Sequence, residues 1–311
     1  MSDRPRAIFF GTPEFSVPIA AATARVTELV AVVTQPDAPT GRGQKLQPSP
    51  LKRWANEHHL AVLEPERMRD PRWLAAIREL RPDVAILAAY GKILPAELLT
   101  IPRHGFLNIH PSLLPRHRGP SPVAGALLAG DEQTGVSLML LDDEMDHGPI
   151  IAQVSTEIEP HENRSDLEAR LAQLGAELLT SSIVPYLAGR LIAKPQDHDQ
   201  ATYTSLLKRE DGTIDWHQPA DIVARRIRAM FPWPGSRTSW SGHDLKVLSG
   251  VADNQPTSDR PGTVANIDHQ PAVVCGRGSL VLKRVQLDGG KPMPASDFAR
   301  GHRDFIGSHF D

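Results

Sequence analysis

Gly105-Phe106-Leu107-Asn108-Ile109-His110-Pro111-Ser112-Leu113-Leu114-Pro115 reads as a short apolar strand that gains polar side chains as it ends. Asn108 and His110 are two residues apart, so on a strand both leave from the same face. Pro111 withholds a ladder donor and turns the chain into Ser112–Pro115. In an open parallel sheet, ligands sit at the carboxyl ends of the strands, and that is where this pair falls. Further on, Asp142-Asp143-Glu144-Met145-Asp146 closes another apolar run and supplies carboxylates. An amide, an imidazole and a carboxylate suit carbonyl chemistry. The amide can donate to a developing oxyanion, the imidazole can move a proton, and the carboxylate can orient the imidazole or a water. Taken alone, Asn-x-His at a strand end is just as well a satisfied polar pair or a cap.

Working outward, strands and helices alternate. Ala7–Phe10 is a strand breaking at Gly11-Thr12-Pro13, a helix runs through Ile19–Ala22, and Leu29–Val33 is a second buried strand. Helical spacing follows over Leu51–His59 and Pro71–Leu80, with extended runs at Ala61–Leu63 and Asp83–Ala89. After the Asn108/His110 strand, Gly119-Pro120 opens a helix over Ser121–Leu128, and Gly135–Leu140 and Ile150–Val154 continue the sheet. Ser165-Asp166-Leu167-Glu168 reads as a capping box, with Leu167, Leu171, Leu174, Leu178 and Leu187 on one face of the helix behind it. This alternation argues for an α/β domain whose parallel sheet is covered on both faces. The first strand is not followed by Gly-x-Gly-x-x-Gly, so a dinucleotide site is poorly supported. The stretch 189–206 is polar and aperiodic, an extended linker. Beyond a helix at Ala220–Met230 come short alternating runs at 244–248, 262–267, 272–275 and 279–283, the pattern of a small β-barrel. The expected organisation is a catalytic α/β domain over 1–188, a linker over 189–206 and a β-barrel over 207–311.

Bulk properties narrow the function classes. A chain of 311 residues holds about two domains at ~100–200 residues each. With 40% hydrophobic and 23% charged residues it can bury a core. Cys275 is the only cysteine, which excludes an internal disulfide and a cysteine metal cluster. His58, His59, His117, His147 and His161 lack metal-ligand spacing, so no metal is expected. No apolar segment behind the first residues is long enough for a secretory signal or membrane span, which makes the cytoplasm the expected location and a membrane partner unexpected. A formal net charge of −3 gives no global pull on nucleic acid. A local patch does exist in the Gly- and Pro-rich loop 34–50: from Gly41 to Arg53 it carries Arg42, Lys45, Lys52 and Arg53 and no acid. That is either a solvated surface loop or an arm that grips phosphates. Trp233, between two prolines, reads as a packing wedge.

Together these pieces resemble the formyltransferases that use 10-formyltetrahydrofolate, methionyl-tRNA formyltransferase above all, over nearly the whole chain. The resemblance rests on Phe10-Gly11-Thr12-Pro13-Glu14-Phe15, the Pro36–Lys52 loop, Asn108-x-His110, Ser112-Leu113-Leu114-Pro115, Asp142–Pro149, Gly212-Thr213-Ile214-Asp215-Trp216 and Pro232-Trp233-Pro234-Gly235. It departs at Pro111, where the family more usually has Ala, and at Gly119-Pro120-Ser121-Pro122. His-Pro-Ser-Leu-Leu-Pro is similar to the hydrolase domain of formyltetrahydrofolate dehydrogenase. The resemblance implies a Rossmann-like catalytic domain followed by an OB-like, tRNA-binding barrel. It further implies catalysis by Asn108, His110 and Asp146, folate binding by Ser112, Leu113, Leu114 and Pro115, and tRNA contact by Arg42 and Lys45. The implied substrates are 10-formyltetrahydrofolate and initiator methionyl-tRNA, acted on by a monomer without a metal. A sugar-nucleotide N-formyltransferase or a formyltetrahydrofolate hydrolase would share the catalytic residues, whereas an RNA-binding protein without activity would not need them.

Overall fold

The computed structural model describes residues 4–40 and 45–310. The elements run β1 (Arg6–Gly11), α1 (Ser16–Val26), β2 (Glu28–Val33), β3 (Ala38–Thr40), β4 (Lys45–Gln47), α2 (Pro50–Glu57), β5 (Val62–Leu63), α3 (Pro71–Glu79), β6 (Val84–Ala88), α4 (Ala96–Leu99), β7 (Phe106–His110), α5 (Pro122–Ala129), β8 (Gln133–Leu140), β9 (Ile150–Glu157) and α6 (Arg164–Leu187). Two compact units emerge. One comprises Met1–Pro122, Gln133–Glu157 and Glu168–Ser205; the other comprises Val123–Glu132, Ile158–Leu167 and Leu206–Asp311.

Among the described residues of the first unit, seven strands form a sheet in the order β5-β2-β1-β6-β7-β8-β9. The five strands from β5 to β7 are parallel, and the apolar runs of the central ones, β1, β6 and β7, are mostly buried, as a parallel sheet covered on both faces requires. β8 and β9 run antiparallel, which departs from the all-parallel expectation. The reason lies partly in chain length, since β8 and β9 are joined by the short loop 141–149 and a parallel pair needs a crossover of about a dozen residues or more. β7 therefore lies between β6 and β8, buried along its whole length. On one side of it Phe106 packs against Phe10, with ring centroids 5.1 Å apart, and Phe10 meets the Tyr90 ring edge-on at 5.5 Å. Each such pair adds ~0.5–1.5 kcal/mol beyond simple area burial. On the other side Ile109 faces α6, where a Cβ on Gly175 would stand only 2.8 Å from the Ile109 Cγ2.

Two local expectations are corrected. The helix α6 is capped by Asn163, whose Oδ1 accepts from the Ser165 and Asp166 amides at 2.9 and 3.2 Å; Ser165 already lies inside the helix. Asn is as good a cap as Ser, and it stands one turn-start earlier. The loop 34–50 is not structureless either, because β3 and β4 pair as an antiparallel ribbon with Pro39 opposite Leu46.

The second unit contains α7 (Ala220–Met230), β10 (Ser236–Trp240), β11 (His243–Asp253), β12 (Val264–Ile267), β13 (Gln270–Val274), β14 (Ser279–Leu287), β15 (Met293–Pro294) and α8 (Ala295–Gly301). Among its described residues these strands make an antiparallel sheet in the order β10-β11-β14-β13-β12, with β15 on β14. Register irregularities between Val247 and Gly250 let β11 pair from Leu245↔Leu287 to Asp253↔Ser279. Trp216, Trp240, Phe298, Phe305 and Phe310 fill the core beneath. Trp233 is not a packing wedge: it is 56% exposed, and Arg164 holds its segment by donating to the Phe231 and Trp233 carbonyls at 3.3 and 2.7 Å.

Cys275 sits in this core at 3% exposure, and burial pushes its thiol up to about 12. Because the thiolate is the nucleophile, alkylation by iodoacetamide at pH 8 should be slower in the native protein than in the denatured chain by on the order of 10³-fold. Mass spectrometry of timed reactions checks this, and equal rates would show the thiol to be open to solvent.

Candidate active site

Asn108 and His110 share one face at the carboxyl end of β7, as their spacing requires, and are only 6% and 4% exposed. Opposite them on β8 stand Met139 and Ser137. The loop 141–149 brings Asp146 to this strand end. The Asn108 Nδ2 donates to Asp146 Oδ1 at 3.3 Å, and the His110 Nδ1 lies 3.6 Å from the same oxygen. The three residues expected to act together are thus side by side.

Their hydrogen bonds assign atoms to roles. The His110 Nε2 is 3.0 Å from the His117 carbonyl. A carbonyl only accepts, so Nε2 carries a proton and the Nδ1 edge is the one that faces Asp146. The second carboxylate oxygen, Asp146 Oδ2, accepts from the Gly119 amide at 2.7 Å, a charge-assisted bond. One Asn108 N–H goes to Asp146, and the amide keeps a second. Asp146 itself has φ +49°, a left-handed backbone that a non-glycine residue adopts only when its surroundings impose it. Gly119 has φ +105°, and a Cβ there would come within 2.6 Å of the Thr204 carbonyl oxygen. Only glycine brings its N–H to Asp146 at this point.

Ser112, Leu113, Leu114 and Pro115 follow β7 after Pro111. Much of their polar backbone is engaged: Leu114 N donates to Ser137 Oγ at 3.1 Å, Ser137 Oγ donates to the Ser112 carbonyl at 2.6 Å, and Gln153 Nε2 donates to the Leu114 carbonyl at 2.9 Å. The Ser112 hydroxyl donates to the Arg116 carbonyl at 2.7 Å. Leu114 is buried, while Leu113 and Pro115 are half-buried and face outward in part. What this segment offers a ligand is mainly side-chain surface.

The basic patch of the loop changes character. Hydrogen bonds to Asp37 and Glu64, at 2.7 and 2.9 Å, hold the Lys52 ammonium above the ordinary lysine range. Arg53 donates to the Pro48 carbonyl at 3.0 Å. Lys45 is exposed at the start of β4, and Arg42 lies outside the described residues. The acids that neutralise Lys52 flank the patch in sequence, which is why a window from Gly41 to Arg53 missed them. Sequence reasoning also passed over Gly119, read only as a helix opener, and Arg118 and Gln196, which carry no motif. Among the described residues no group of three or more His, Cys, Asp or Glu is arranged to hold a metal ion.

A family model described as "Formyl transferase" matches residues 6–183, and one described as "Formyl transferase, C-terminal domain" matches 206–303. The chain belongs to the formyl transferase family. Its relatives include a methionyl-tRNA formyltransferase of Roseiflexus castenholzii, 46% identical over 96% of both chains. Among solved structures it resembles an N-formyltransferase of Helicobacter canadensis in complex with folinic acid and dTDP-3-aminofucose, at 18% identity and TM-score 0.68, over 90% of this chain and 99% of that one. It also resembles HypX of Aquifex aeolicus in complex with tetrahydrofolic acid, at 15% identity and TM-score 0.63. That match covers 98% of this chain and 48% of HypX, so the chain spans about half of that protein.

For a formyl transferase this geometry makes a definite prediction. Asn108→Ala should keep a near-native melting temperature while lowering formyl-transfer turnover by ~10²–10³, the usual cost of losing one oxyanion donor. Steady-state kinetics at saturating donor and acceptor checks it.

Proposed function

We propose that this protein transfers the formyl group of 10-formyltetrahydrofolate to the α-amino group of methionine esterified to initiator tRNA. The observation that carries the reading is the 46% identity with a methionyl-tRNA formyltransferase, maintained across 96% of both chains and therefore through the second unit as well. Similarity to a sugar N-formyltransferase stands at 18%. The residues gathered at the end of β7 supply the chemistry; the full-length similarity points to the acceptor.

In this mechanism the neutral amine attacks the formyl carbon, forming a C–N bond and placing negative charge on the formyl oxygen. The free Asn108 N–H donates to that oxygen, and a proton on His110 Nδ1 provides a second donor. Asp146, held by Gly119, orients His110 and accepts a proton from the attacking amine directly or through water. Collapse breaks the bond to the folate N10, which takes up the proton, and formyl-methionyl-tRNA leaves. Near-complete burial of Asn108 and His110 keeps competing water scarce and strengthens these contacts. Leu113 and Pro115 give the flat pterin an apolar wall, with Ser112 and Leu114 fixing that wall from behind. No step requires a metal.

Lys45, on its exposed ribbon, and Arg42 are assigned to the phosphates at the acceptor end of the tRNA. The C-terminal sheet domain, taken as 207–311 after a catalytic domain of 1–188 and the 189–206 segment, is assigned to tRNA binding. Among the described residues no helix is long and apolar enough to cross a membrane. The enzyme is assigned to the cytoplasm, as a monomer.

The test is incubation with 10-formyltetrahydrofolate and either initiator methionyl-tRNA or a 4-amino sugar nucleotide. Formylated methionyl-tRNA is the expected product, with Arg42→Ala raising the KM for tRNA most at low salt and flattening its dependence on salt. Transfer to the sugar alone, or formate release without an acceptor, would replace this reading by the transferase or hydrolase alternative.

A further inference from the structure

Gln196 lies in the polar stretch that composition marks as a linker, yet it is only 6% exposed. The stretch runs back along the first unit. Ile150 and Lys194 exchange backbone hydrogen bonds at 2.8 Å, the Arg118 amide donates to the Thr202 carbonyl at 2.8 Å, and the Thr204 amide donates to the Arg118 carbonyl at 2.7 Å. The Gln196 side chain then uses every hydrogen-bonding position it has. Its Nε2 donates to the Asp146 carbonyl at 2.9 Å and to the Gly148 carbonyl at 2.7 Å. Its Oε1 accepts from Arg118 Nε at 3.2 Å and Nη2 at 2.7 Å. The reversed amide would set donors against the guanidinium and an acceptor against two carbonyls, so only one orientation satisfies the site.

Arg118 is 2% exposed, and its remaining contacts are also to neutral atoms: Nη2 to His198 Nδ1 at 2.8 Å and Nη1 to the Tyr203 hydroxyl at 3.3 Å, with the guanidinium carbon 5.9 Å from the Tyr203 ring centroid. A cation so buried needs acceptors for its N–H groups, and the fork that finds them on Gln196 locks that amide in place. The next residue, Gly119, holds the Asp146 carboxylate. The same two elements thus grip the turn twice, at its backbone through Gln196 and at its side chain through Gly119.

We propose that Gln196 and Arg118 are positioning residues, which fix the strained Asp146 turn so that its carboxylate reaches Asn108 and His110. The inference rests on the reading of Asp146 as part of the catalytic site. Gln196→Glu separates this role from simple packing. Glutamate keeps the acceptor for Arg118, as an ion pair, but loses both donors to the Asp146 and Gly148 carbonyls. A merely structural Gln196 would show that loss in the melting temperature and leave kcat of the folded variant at the wild-type value.

The experiment measures kcat, KM for 10-formyltetrahydrofolate and melting temperature for Gln196→Glu, Gln196→Ala and Arg118→Lys, using whichever acceptor the wild type formylates. Misplacing a reacting group by ~1 Å costs up to ~10²-fold, so kcat should fall ~10–100-fold in Gln196→Glu while KM changes less than about threefold. Arg118→Lys, which lacks the fork, should fall at least about tenfold in kcat, and it decides the matter if Gln196→Glu does not fold. Wild-type kcat in a folded Gln196→Glu, or in Arg118→Lys, would overturn the positioning role. A wild type inactive toward methionyl-tRNA but active toward another acceptor would count against the proposed substrate only.

Discussion

A carboxylate held against two almost buried polar side chains needs fixed donors of its own, and the placement of Asp146 depends on them. It sits at a left-handed backbone position on a short loop, with one carboxylate oxygen facing Asn108 and His110 at the end of β7 and the other held by the Gly119 amide. Left to water, such a turn would sample many conformations, and the entropy of freezing it must be offset by specific contacts. Those contacts come from residues distant in sequence: Gly119, and the Arg118–Gln196 pair.

The sheet makes these contacts possible. Parallel strands β1, β6 and β7 all point their carboxyl ends the same way, so the loops that follow them gather at one edge. β8 reverses direction and ends with Leu140 opposite Leu107, and the loop that leaves it folds back to bring Asp146 against Asn108 and His110. The aromatic packing of Phe10, Tyr90 and Phe106 on one side and the close approach of α6 at Gly175 on the other hold β7 rigid. A site carried on a strand between such neighbours keeps its side chains within the tight tolerances that formyl transfer demands.

Most of this was legible in the sequence where a short period or a local motif carried the information. Alternating apolar runs located the strands, and the two-residue spacing of Asn108 and His110 placed them on one face. The direction of β8 and β9 was not legible, because apolar periodicity marks a strand without giving its polarity. The cap at Asn163 was obscured by a capping-box pattern beginning at Ser165 that the helix already includes. The neutralisation of Lys52 depends on Asp37 and Glu64, which lie outside the window that shows the basic patch. Gln196 was hidden most completely: a polar residue among polar residues has no sequence signature until the fold returns its segment to the Asp146 turn.

The most direct measurement of the central claim, that Asn108 and Asp146 act as one unit on the formyl carbonyl, is a double-mutant cycle in single-turnover formyl transfer. Asn108→Ala, Asp146→Asn and the double variant are compared with the wild type at saturating 10-formyltetrahydrofolate and methionyl-tRNA. If the pair works jointly, the double variant loses about as much rate as the worse single variant, as groups acting as a unit do. Losses that multiply independently would contradict the account and place the two side chains in separate roles.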